Sequence, residues 1–380
     1  MIYYVGYYDI PRNGKYVRSI SPAAVRKMDY VIHTLCALGE DVTVVSPAIT
    51  ASTDVNTGLR ASVETIGERC QLICAPMLPI RHAKLQPLNA RFARWWLKHY
   101  LCRHVRIDDV VIVYHVPVLA PAIAASLNRI GYKFILELEE IYSKVWKMSE
   151  AERKQEEALI AMSGGKAIVV SEALKEKIGF DHAVVSYGSY KAYEGPIHRA
   201  PKADNSIRLV FSGGIEKTRG GAFVALDVIR RLSARYSLTI SGNVEANSKD
   251  EFMRLIQEIN DEKGFSCVKY VGLLPQEQFD ELLLHADVAL NLQREGEYGG
   301  FLFPSKILTY LAYELPVVTT PGESICKSAL SDQLFITDDY RIDTIIQTIE
   351  AMDLSKLNNY RQTLQKMDAE FKAALKELIR

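Results

Sequence analysis

A proline, a hydroxyl and a positive charge meet at the start of one predicted helix, in the segment FLFPSKILTYLAYELPVVTT. Pro304 fits the first turn of a helix, Ser305 can cap it, and Lys306 adds an ammonium where backbone N–H groups already point outward. A helix start of this composition favours the binding of phosphate groups. An ordinary turn with a surface lysine would use the same residue types, so the triplet alone leaves both interpretations open.

The residues after this triplet predict a buried helix and then a covered strand. Ile307, Leu308 and Leu311 recur at helical spacing, and the β-branched pair Val317 and Val318 begins a run typical of a strand with helices on both faces. This longer pattern favours the phosphate-binding interpretation.

The whole segment resembles the donor-binding helix of retaining GT-B glycosyltransferases, two-domain enzymes that take a sugar from a nucleoside diphosphate carrier. The resemblance implies a GT-B fold, in which two doubly wound, Rossmann-like α/β domains face each other across a cleft. It also implies that Pro304, Ser305 and Lys306 lie against the diphosphate of a UDP- or GDP-sugar, with UDP favoured, and that no other cofactor takes part.

Length and composition fit such an architecture. The chain has 380 residues, which suits two α/β domains of about 150 to 200 residues each. Hydrophobic residues make up 48% and charged residues 24%, as in ordinary globular proteins. Because 46 basic residues balance 46 acidic ones, no global field attracts a nucleic acid, and we expect no nucleic-acid partner.

Cysteine spacing and the first residues bear on the expected compartment. The six cysteines form no paired CxxC motif, and we expect reduced thiols. The sequence opens on the strand-like run MIYYVGYYD rather than on a basic leader, and it has no run of about 18 uncharged apolar residues. We therefore expect a cytoplasmic protein. No aspartate-x-aspartate site is present, so we also expect no metal.

Short apolar runs alternate with helical patterns along the chain, which predicts two parallel sheets with helical crossovers. In the first half the predicted strands are residues 2–7, 42–45, 70–74, 110–114, 134–138, 167–170 and 183–185. In the second half they are residues 208–211, 237–241, 268–271, 288–292, 317–319 and 334–336. The segment from 190 to 205 breaks this periodicity with prolines and scattered charge. We place the domains at 1–195 and 205–356, with the helix of about 357–380 packing back on the first.

The first strand of the second domain runs into a glycine-rich turn, FSGGIEKTRGGAF. Gly213 and Gly214 would let backbone N–H groups approach an anion, while Lys217 and Arg219 could supply its counter-charge. Relatives that this sequence resembles usually place an arginine and a lysine where Gly214 and Gly220 stand here. A tight solvated turn remains the alternative.

An acidic loop, QREGEYGG, precedes the Pro-Ser-Lys helix. The resemblance implies a glutamate for the sugar here, and Glu295 and Glu297 are the candidates. A second glutamate of the family, which contacts the ribose, falls on Thr309 in this sequence. Thr309 could still hydrogen-bond a hydroxyl, and a helical threonine that packs inward is an equal alternative.

Polar side chains follow two strands of the first domain. His115 ends one strand, where the resembling transferases often show a histidine and then a proline, and Glu137, Glu139 and Glu140 end the next. Close carboxylates repel one another and raise at least one pKa, which suits hydroxyl binding or proton transfer. We assign His115, Glu137 and Glu139 as catalytic candidates, with an exposed acidic helix cap as the alternative.

Two further segments stand out. The loop after the first strand, with Asn13, Gly14, Lys15 and Arg18, precedes a helix capped by Ser21 and offers another anion-tolerant helix start. The segment of residues 89–106 mixes arginines and lysine with four aromatic residues, a composition that suits an anionic lipid surface. Tryptophans at helical spacing are also common in cores.

The resemblance implies a retaining glycosyltransferase, and the lack of an aspartate-x-aspartate site predicts that it is metal-independent. By family analogy alone, it would move a sugar from a nucleotide-sugar donor to a glycan or lipid-linked acceptor, in bacterial surface polysaccharide synthesis, at the inner face of the membrane. Two alternatives stay open at this point. One is a nucleotide-sugar epimerase of the same fold, and the other is a non-catalytic partner subunit, which would account for Gly214, Gly220 and Thr309.

Overall fold

The chain consists of two α/β units, as described by a computed structural model. The first unit comprises Met1–Val170, Leu174–Ser189 and Glu370–Arg380, and the second comprises Ser171–Ala173 and Tyr190–Ala369. The residues that the structure describes are 1–12, 16–50, 59–80, 83–145, 147–197, 205–218, 220–296, 300–354 and 359–380.

The first unit has an eight-stranded sheet with the order β3-β4-β2-β1-β5-β6-β7-β8. All neighbours are parallel except β3 and β4. The strands are β1 Ile2–Val5, β2 Val42–Ser46, β3 Ser62–Gly67, β4 Cys70–Cys74, β5 Val110–Tyr114, β6 Lys133–Leu138, β7 Ala167–Val169 and β8 Ala183–Val185. The helices are α1 Pro22–Ala37, α2 Gln86–His104, α3 Ala120–Ile130, α4 Tyr142–Val145, α5 Glu150–Met162 and α6 Glu172–Ile178.

One strand of this sheet, β3, has no counterpart among the predicted elements. It pairs antiparallel with β4 at the edge of the sheet, and its residues alternate between half-buried and exposed. Its sequence, SVETIG, has two apolar side chains, because an edge strand with one solvated face needs few of them. The seven strands predicted for this half are confirmed.

The second unit has a six-stranded parallel sheet with the order β11-β10-β9-β12-β13-β14. Its strands are β9 Ile207–Ser212, β10 Tyr236–Ser241, β11 Val268–Gly272, β12 Val288–Asn291, β13 Val317–Thr319 and β14 Phe335–Ile336. Its helices are α7 Gly221–Arg231, α8 Lys249–Lys263, α9 Gln276–His285, α10 Lys306–Ala312, α11 Glu323–Cys326 and α12 Ile342–Ala351. A buried apolar cluster joins α7, α8 and α12 to the central strands. The predicted doubly wound fold is confirmed.

The last helix, α13, spans Tyr360–Ile379 and contributes to both units. Its final residues belong to the first unit, where Phe371 stacks on Tyr30 of α1 with ring centroids 5.4 Å apart. Its first ten residues belong to the second unit, so the proposed return to the first domain involves only the final turns. Residues 190–195, which the predicted boundary assigned to the first domain, belong to the second because Tyr193 pairs with Ala312 and stacks on Tyr313.

The chain that follows β1 is held by a buried carboxylate. Asp9 accepts hydrogen bonds from the backbone N–H groups of Val17 and Arg18 at 2.8 and 2.9 Å, and it pairs with Arg12. The buried Arg18 donates to the backbone oxygens of Ala48 and Ala75. Arg18 therefore fixes loops of the sheet, while Asn13, Gly14 and Lys15 lie outside the described residues.

We predict that Asp9→Ala destabilises the first unit by about 3 to 5 kcal/mol, because it leaves buried donors and a guanidinium without their acceptor. Urea unfolding followed by circular dichroism measures this loss. Asp41→Ala is the matched control, since Asp41 also pairs with an arginine, Arg69, but at an exposed site where the expected loss stays within about 1 kcal/mol. Equal losses in the two variants would contradict the anchoring role of Asp9.

Candidate functional site

The strand order of the second unit marks one place where loops diverge. From β9 the chain moves outward through β10 and β11, whereas β12, β13 and β14 build the sheet on the other side of β9. The carboxyl ends of β9 and β12 therefore flank a topological switch point, where open α/β sheets bind their ligands. The glycine turn that begins at Gly213 follows β9, and the loop to Pro304 follows β12.

The turn after β9 rests directly on the turn after β10. Gly213 has φ +135° and its N–H donates to the Ser241 oxygen at 3.0 Å. Gly242, at φ +141°, packs so closely that a side-chain carbon there would lie 1.8 Å from the oxygen of Gly213. A side chain at Gly242 would force this backbone to move, and the positive φ of both residues favours glycine at each position.

Lys306 extends over the same turn. Its ammonium lies 4.0 Å from the ring centroid of Phe211, a residue of β9, and 3.8 Å from the place where a side chain of Gly213 would begin. An ammonium over an aromatic face is held by the ring quadrupole. The structure thus brings together two of the predicted residues, Gly213 and Lys306, at the switch point.

The helix that carries Lys306 begins later than predicted. Lys306 is its first residue and Ser305 is the N-cap, with an exposed side chain that makes no capping hydrogen bond. Pro304 precedes the helix, and its oxygen accepts from the N–H of Ile307 at 2.9 Å. Thr309 is half-buried and lies one turn further along this helix.

Tyr310 fixes this helix to the end of β9. It is fully buried, and its hydroxyl accepts from the N–H of Ser212 at 2.8 Å and lies 2.9 Å from the Ser212 hydroxyl. Burial raises the pKa of Tyr310 to about 12, so the phenol stays protonated at neutral pH. The hydrogen bonds set the distance between α10 and the glycine turn.

The start of α7 closes onto the loop after β12. Gly220 caps α7 at φ +70°, and a side-chain carbon on Gly221 would lie 2.6 Å from the oxygen of Leu292. The side chain of Arg294 covers Gly220 at the same short distance. A side chain at Gly221 would push the two loops apart, whereas a side chain at Gly220 would displace Arg294.

The two cations predicted to neutralise a bound anion at the glycine turn are Lys217 and Arg219, and the structure does not bring either of them to the turn among its described residues. The exposed Lys217 pairs with Glu251 at 2.7 Å, so α8 already offers its ammonium an anion. Gly214 and Glu295 are exposed. Arg219 and Glu297 lie outside the described residues.

In the first unit, β1 and β5 flank the corresponding switch point, and His115 follows β5. His115 is buried and stacks on Tyr142 with ring centroids 4.7 Å apart. Its Nε2 atom lies 3.5 Å from Glu156, which also accepts the N–H groups of Tyr142 and Ser143. Burial lowers the pKa of His115 to about 3, so the ring is neutral at physiological pH.

The carboxylates of Glu137 and Glu139, at the end of β6, are buried and half-buried, and each contacts a polar side chain. Glu137 has no exposed surface and accepts a hydrogen bond from the Tyr4 hydroxyl. Burial, with Glu139 adding to it and Lys27 opposing it, raises the pKa of Glu137 to about 7. Glu139 pairs with the buried Lys27 at 2.6 Å. The sequence predicted a raised pKa from repulsion between neighbouring carboxylates, but desolvation is the largest cause of the shift. Because Glu137 is buried, the alternative of an exposed acidic helix cap does not hold for this residue.

The cationic aromatic segment forms the helix α2. Trp95 is 55% exposed and lies between Phe92 and His99 on one face, with ring centroids 5.8 and 4.1 Å away. Trp96 is half-buried and stacks on Tyr100. Across the described ranges, no helix is long and apolar enough to cross a membrane. Nor does a group of three or more potential metal-ligating side chains occur among the described residues.

Several residues of the site have no distinctive signal in the sequence. Gly242 ends a strand as many glycines do, and its contact with Gly213 depends on the register of β9 and β10. Phe211 and Tyr310 read as ordinary core residues of a strand and a helix. Arg294 belongs to the acidic loop, in which the resemblance indicates a role only for the glutamates. The doubled glycines at 213 and 220 are the signal that could lead to these neighbours.

Comparison with known proteins gives a family match for the second unit and a fold for the whole chain. Residues 206–352 match the family model described as glycosyl transferases group 1. No curated protein matches the chain. Among solved structures, an E. coli structure described as trehalose-6-phosphate bound with UDP-2-fluoro glucose is 11% identical, with coverage of 100% of this chain and 99% of that chain and a TM-score of 0.64.

Two further structures are similar over the same length. The lipopolysaccharide outer core galactosyltransferase WaaB in its apo form is 13% identical, with 100% and 98% coverage and a TM-score of 0.64. The Anabaena HepE protein in complex with UDP and glucose is 13% identical, with 99% and 98% coverage and a TM-score of 0.62. At these identities the likeness establishes the fold. The chain therefore has the GT-B fold of these glycosyltransferase structures, and its second unit carries the match to the model of group 1 glycosyl transferases.

Proposed function

We propose that the protein transfers a sugar from a nucleoside diphosphate sugar, a UDP-sugar by preference, to a glycan or lipid-linked acceptor with retention of the anomeric configuration. The observation that carries this proposal is the position of the Lys306 ammonium over the Gly213 turn at the switch point of the second unit. One fixed cation over an exposed glycine turn, where no side chain obstructs an approaching anion, suits a diphosphate. Similar structures hold UDP with glucose or UDP-2-fluoro glucose, which supports this donor class.

In the proposed reaction the bond between the sugar C1 atom and the diphosphate oxygen breaks, and a bond from C1 to the acceptor oxygen forms on the same face. The proton of the acceptor hydroxyl passes to the departing phosphate oxygen. Lys306 and the turn stabilise the negative charge that collects on the diphosphate, a fixed electrostatic contribution that needs no reorganisation. We propose that this charge stabilisation works without a metal.

The catalytic assignment of His115, Glu137 and Glu139 stays a prediction. Their contacts support a positioning role, because His115 is a neutral ring stacked on Tyr142 and Glu137 holds the Tyr4 hydroxyl. Glu139 is neutralised by Lys27. In the proposed function these side chains keep the ends of β5 and β6 in place beside the acceptor. The reaction itself would belong to surface polysaccharide synthesis in bacteria.

We further propose that α2 rests on an anionic membrane surface at the inner face, where a lipid-linked acceptor would be found. Leu88 and Trp95 are exposed apolar side chains two turns apart on α2, and exposed Arg91 and Lys98 flank them. An apolar stripe beside cations combines hydrophobic insertion with attraction to acidic lipid headgroups.

Removal of the Lys306 charge should weaken donor binding. UDP-glucose at about 100 times its dissociation constant should stabilise the native protein by about 2.7 kcal/mol, measured as a shift of the melting temperature. Lys306→Ala should raise that dissociation constant about ten- to hundredfold, as expected for the loss of a charged hydrogen bond. GDP- and ADP-sugars tested in parallel rank the bases.

The matched control for this experiment is Lys154→Ala, which removes an exposed ammonium from the first unit. It should leave the shift unchanged, and EDTA should leave transfer unchanged in the unmodified protein. An undiminished shift in Lys306→Ala would refute the assigned diphosphate site. Donor consumption without an acceptor would favour the epimerase.

The contact between the two glycine turns gives a second test. Gly242→Ala should force the Gly213 turn to move and weaken UDP-sugar binding about tenfold or more, because backbone has to shift by well over an ångström. Gly264→Ala is the control, since Gly264 also has positive φ but faces open space. Both variants should lose about 1 to 3 kcal/mol of stability, and only Gly242→Ala should lose affinity. Calorimetric titration that finds equal affinities would exclude a binding role for this contact.

Membrane contact is tested by co-sedimentation with vesicles of phosphatidylcholine and phosphatidylglycerol. Arg91→Gln combined with Lys98→Gln should weaken binding by about 2 kcal/mol, or about thirtyfold, and Trp95→Ser should weaken it further. Met253→Ser removes an exposed apolar side chain of the second unit and should have no effect. Binding that does not depend on phosphatidylglycerol, or on these residues, would rule out α2 as the docking face.

A further inference from the structure

A cavity of about 430 Å³ lies in the second unit, away from the glycine turns. It opens over the amino-terminal halves of β9, β10 and β11 and beside the end of α9. Gly213 and Lys306, by contrast, lie at or beyond the carboxyl end of β9. A volume of this size is in the range of small-molecule sites.

Strand register places four polar side chains on the same face of the sheet in this cavity. Arg208 of β9 is paired with Ser237 of β10, and Thr239 of β10 is paired with Lys269 of β11. Ser237 and Thr239 are two residues apart on one strand, so their side chains share a face. All four line the cavity.

Three of these groups have no partner within the described chain. Neither the Ser237 hydroxyl nor the Thr239 hydroxyl makes a side-chain hydrogen bond to a described residue, and the Lys269 ammonium forms no ion pair with one. Both hydroxyls belong to half-buried residues. Parallel sheets normally bury both faces under helices, whereas α9 packs against β9 and leaves this part of β10 and β11 open. The open face therefore presents donors and acceptors to a ligand.

The cavity is also positively charged, although the chain as a whole has no net charge. Arg208, Arg235 and Lys269 line it, and no aspartate or glutamate does so among the described residues. Arg208 is compensated by Asp287, to which it donates at 3.2 and 3.1 Å. Arg235 is held over the Tyr236 ring and donates to its hydroxyl at 2.6 Å, so its charge stays at the rim.

We propose that this cavity binds a small phosphorylated sugar, separately from the donor site. Lys269 supplies the charge for the phosphate, and the hydroxyls of Ser237 and Thr239 pair with hydroxyls of the sugar ring. A phosphate attracts the unpaired ammonium, and a polyol matches two neighbouring hydroxyls that can each donate and accept. Phe265 at the rim offers an apolar surface for the ring of the sugar.

Calorimetric titration of the full chain with glucose 6-phosphate tests this site, with inorganic phosphate and glucose as partial ligands. Glucose 6-phosphate should bind at least tenfold more tightly than either part. Lys269→Ala should raise its dissociation constant about tenfold or more, and Thr239→Val, which keeps the volume of the side chain, should raise it about three- to tenfold. Thermal unfolding of both variants verifies that they are folded.

Two controls separate this cavity from the donor site. Lys306→Ala should bind glucose 6-phosphate as the unmodified protein does, so the result does not depend on the proposed function. Lys249→Ala removes an exposed lysine of the same unit and should have no effect. Equal binding by Lys269→Ala and the unmodified protein, or no binding of glucose 6-phosphate, would overturn the proposal. So would equally tight binding of inorganic phosphate or of a heptaglutamate peptide, which would indicate a general anion site or a docking site for an acidic chain.

Discussion

The arrangement of the second unit depends on one contact between two backbones, at the carboxyl ends of β9 and β10. Gly242 packs on the oxygen of Gly213 with no room for a side chain, and this contact fixes the turn over which Lys306 extends. Backbone can approach backbone this closely only where Cβ is missing. Tyr310 adds a second restraint, because its buried hydroxyl ties α10 to Ser212. A cation and a turn are thus held together by groups that carry no charge.

The first unit uses buried polar groups for a comparable purpose. Asp9 fixes the chain after β1, Lys27 neutralises Glu139, and Glu156 receives the first N–H groups of α4. Burying such groups is costly unless each has a partner, so every pair also specifies one arrangement of the loops around it. The raised pKa of Glu137 is the mark of this burial, since desolvation outweighs the opposing field of Lys27.

Most of the fold is predictable from the sequence because most of its strands are buried on both faces and some of its helices begin at clear caps, such as Ser21 before α1. The antiparallel strand β3 is not, since one solvated face leaves too few apolar residues to recognise. At the site, the predicted meeting of Gly213 and Lys306 follows from strand order. Gly242 and Phe211 could not be found in the same way, because their roles depend on contacts between segments distant in sequence. Lys217 was expected at the anion and instead pairs with Glu251, which no local pattern indicates.

The Phe211 ring holds the ammonium of a lysine, not the guanidinium of an arginine, over the glycine turn, and this affects how selectively a ligand can be bound. A lysine offers a compact charge whose three protons rotate freely, unlike the planar fork of arginine, so it attracts an anion without dictating its angle. A ligand anchored by this charge could therefore swivel while its negative end stays fixed. Discrimination between one ligand and another must then come from side chains that touch the rest of the ligand, and this selectivity can change without any alteration of the anchor.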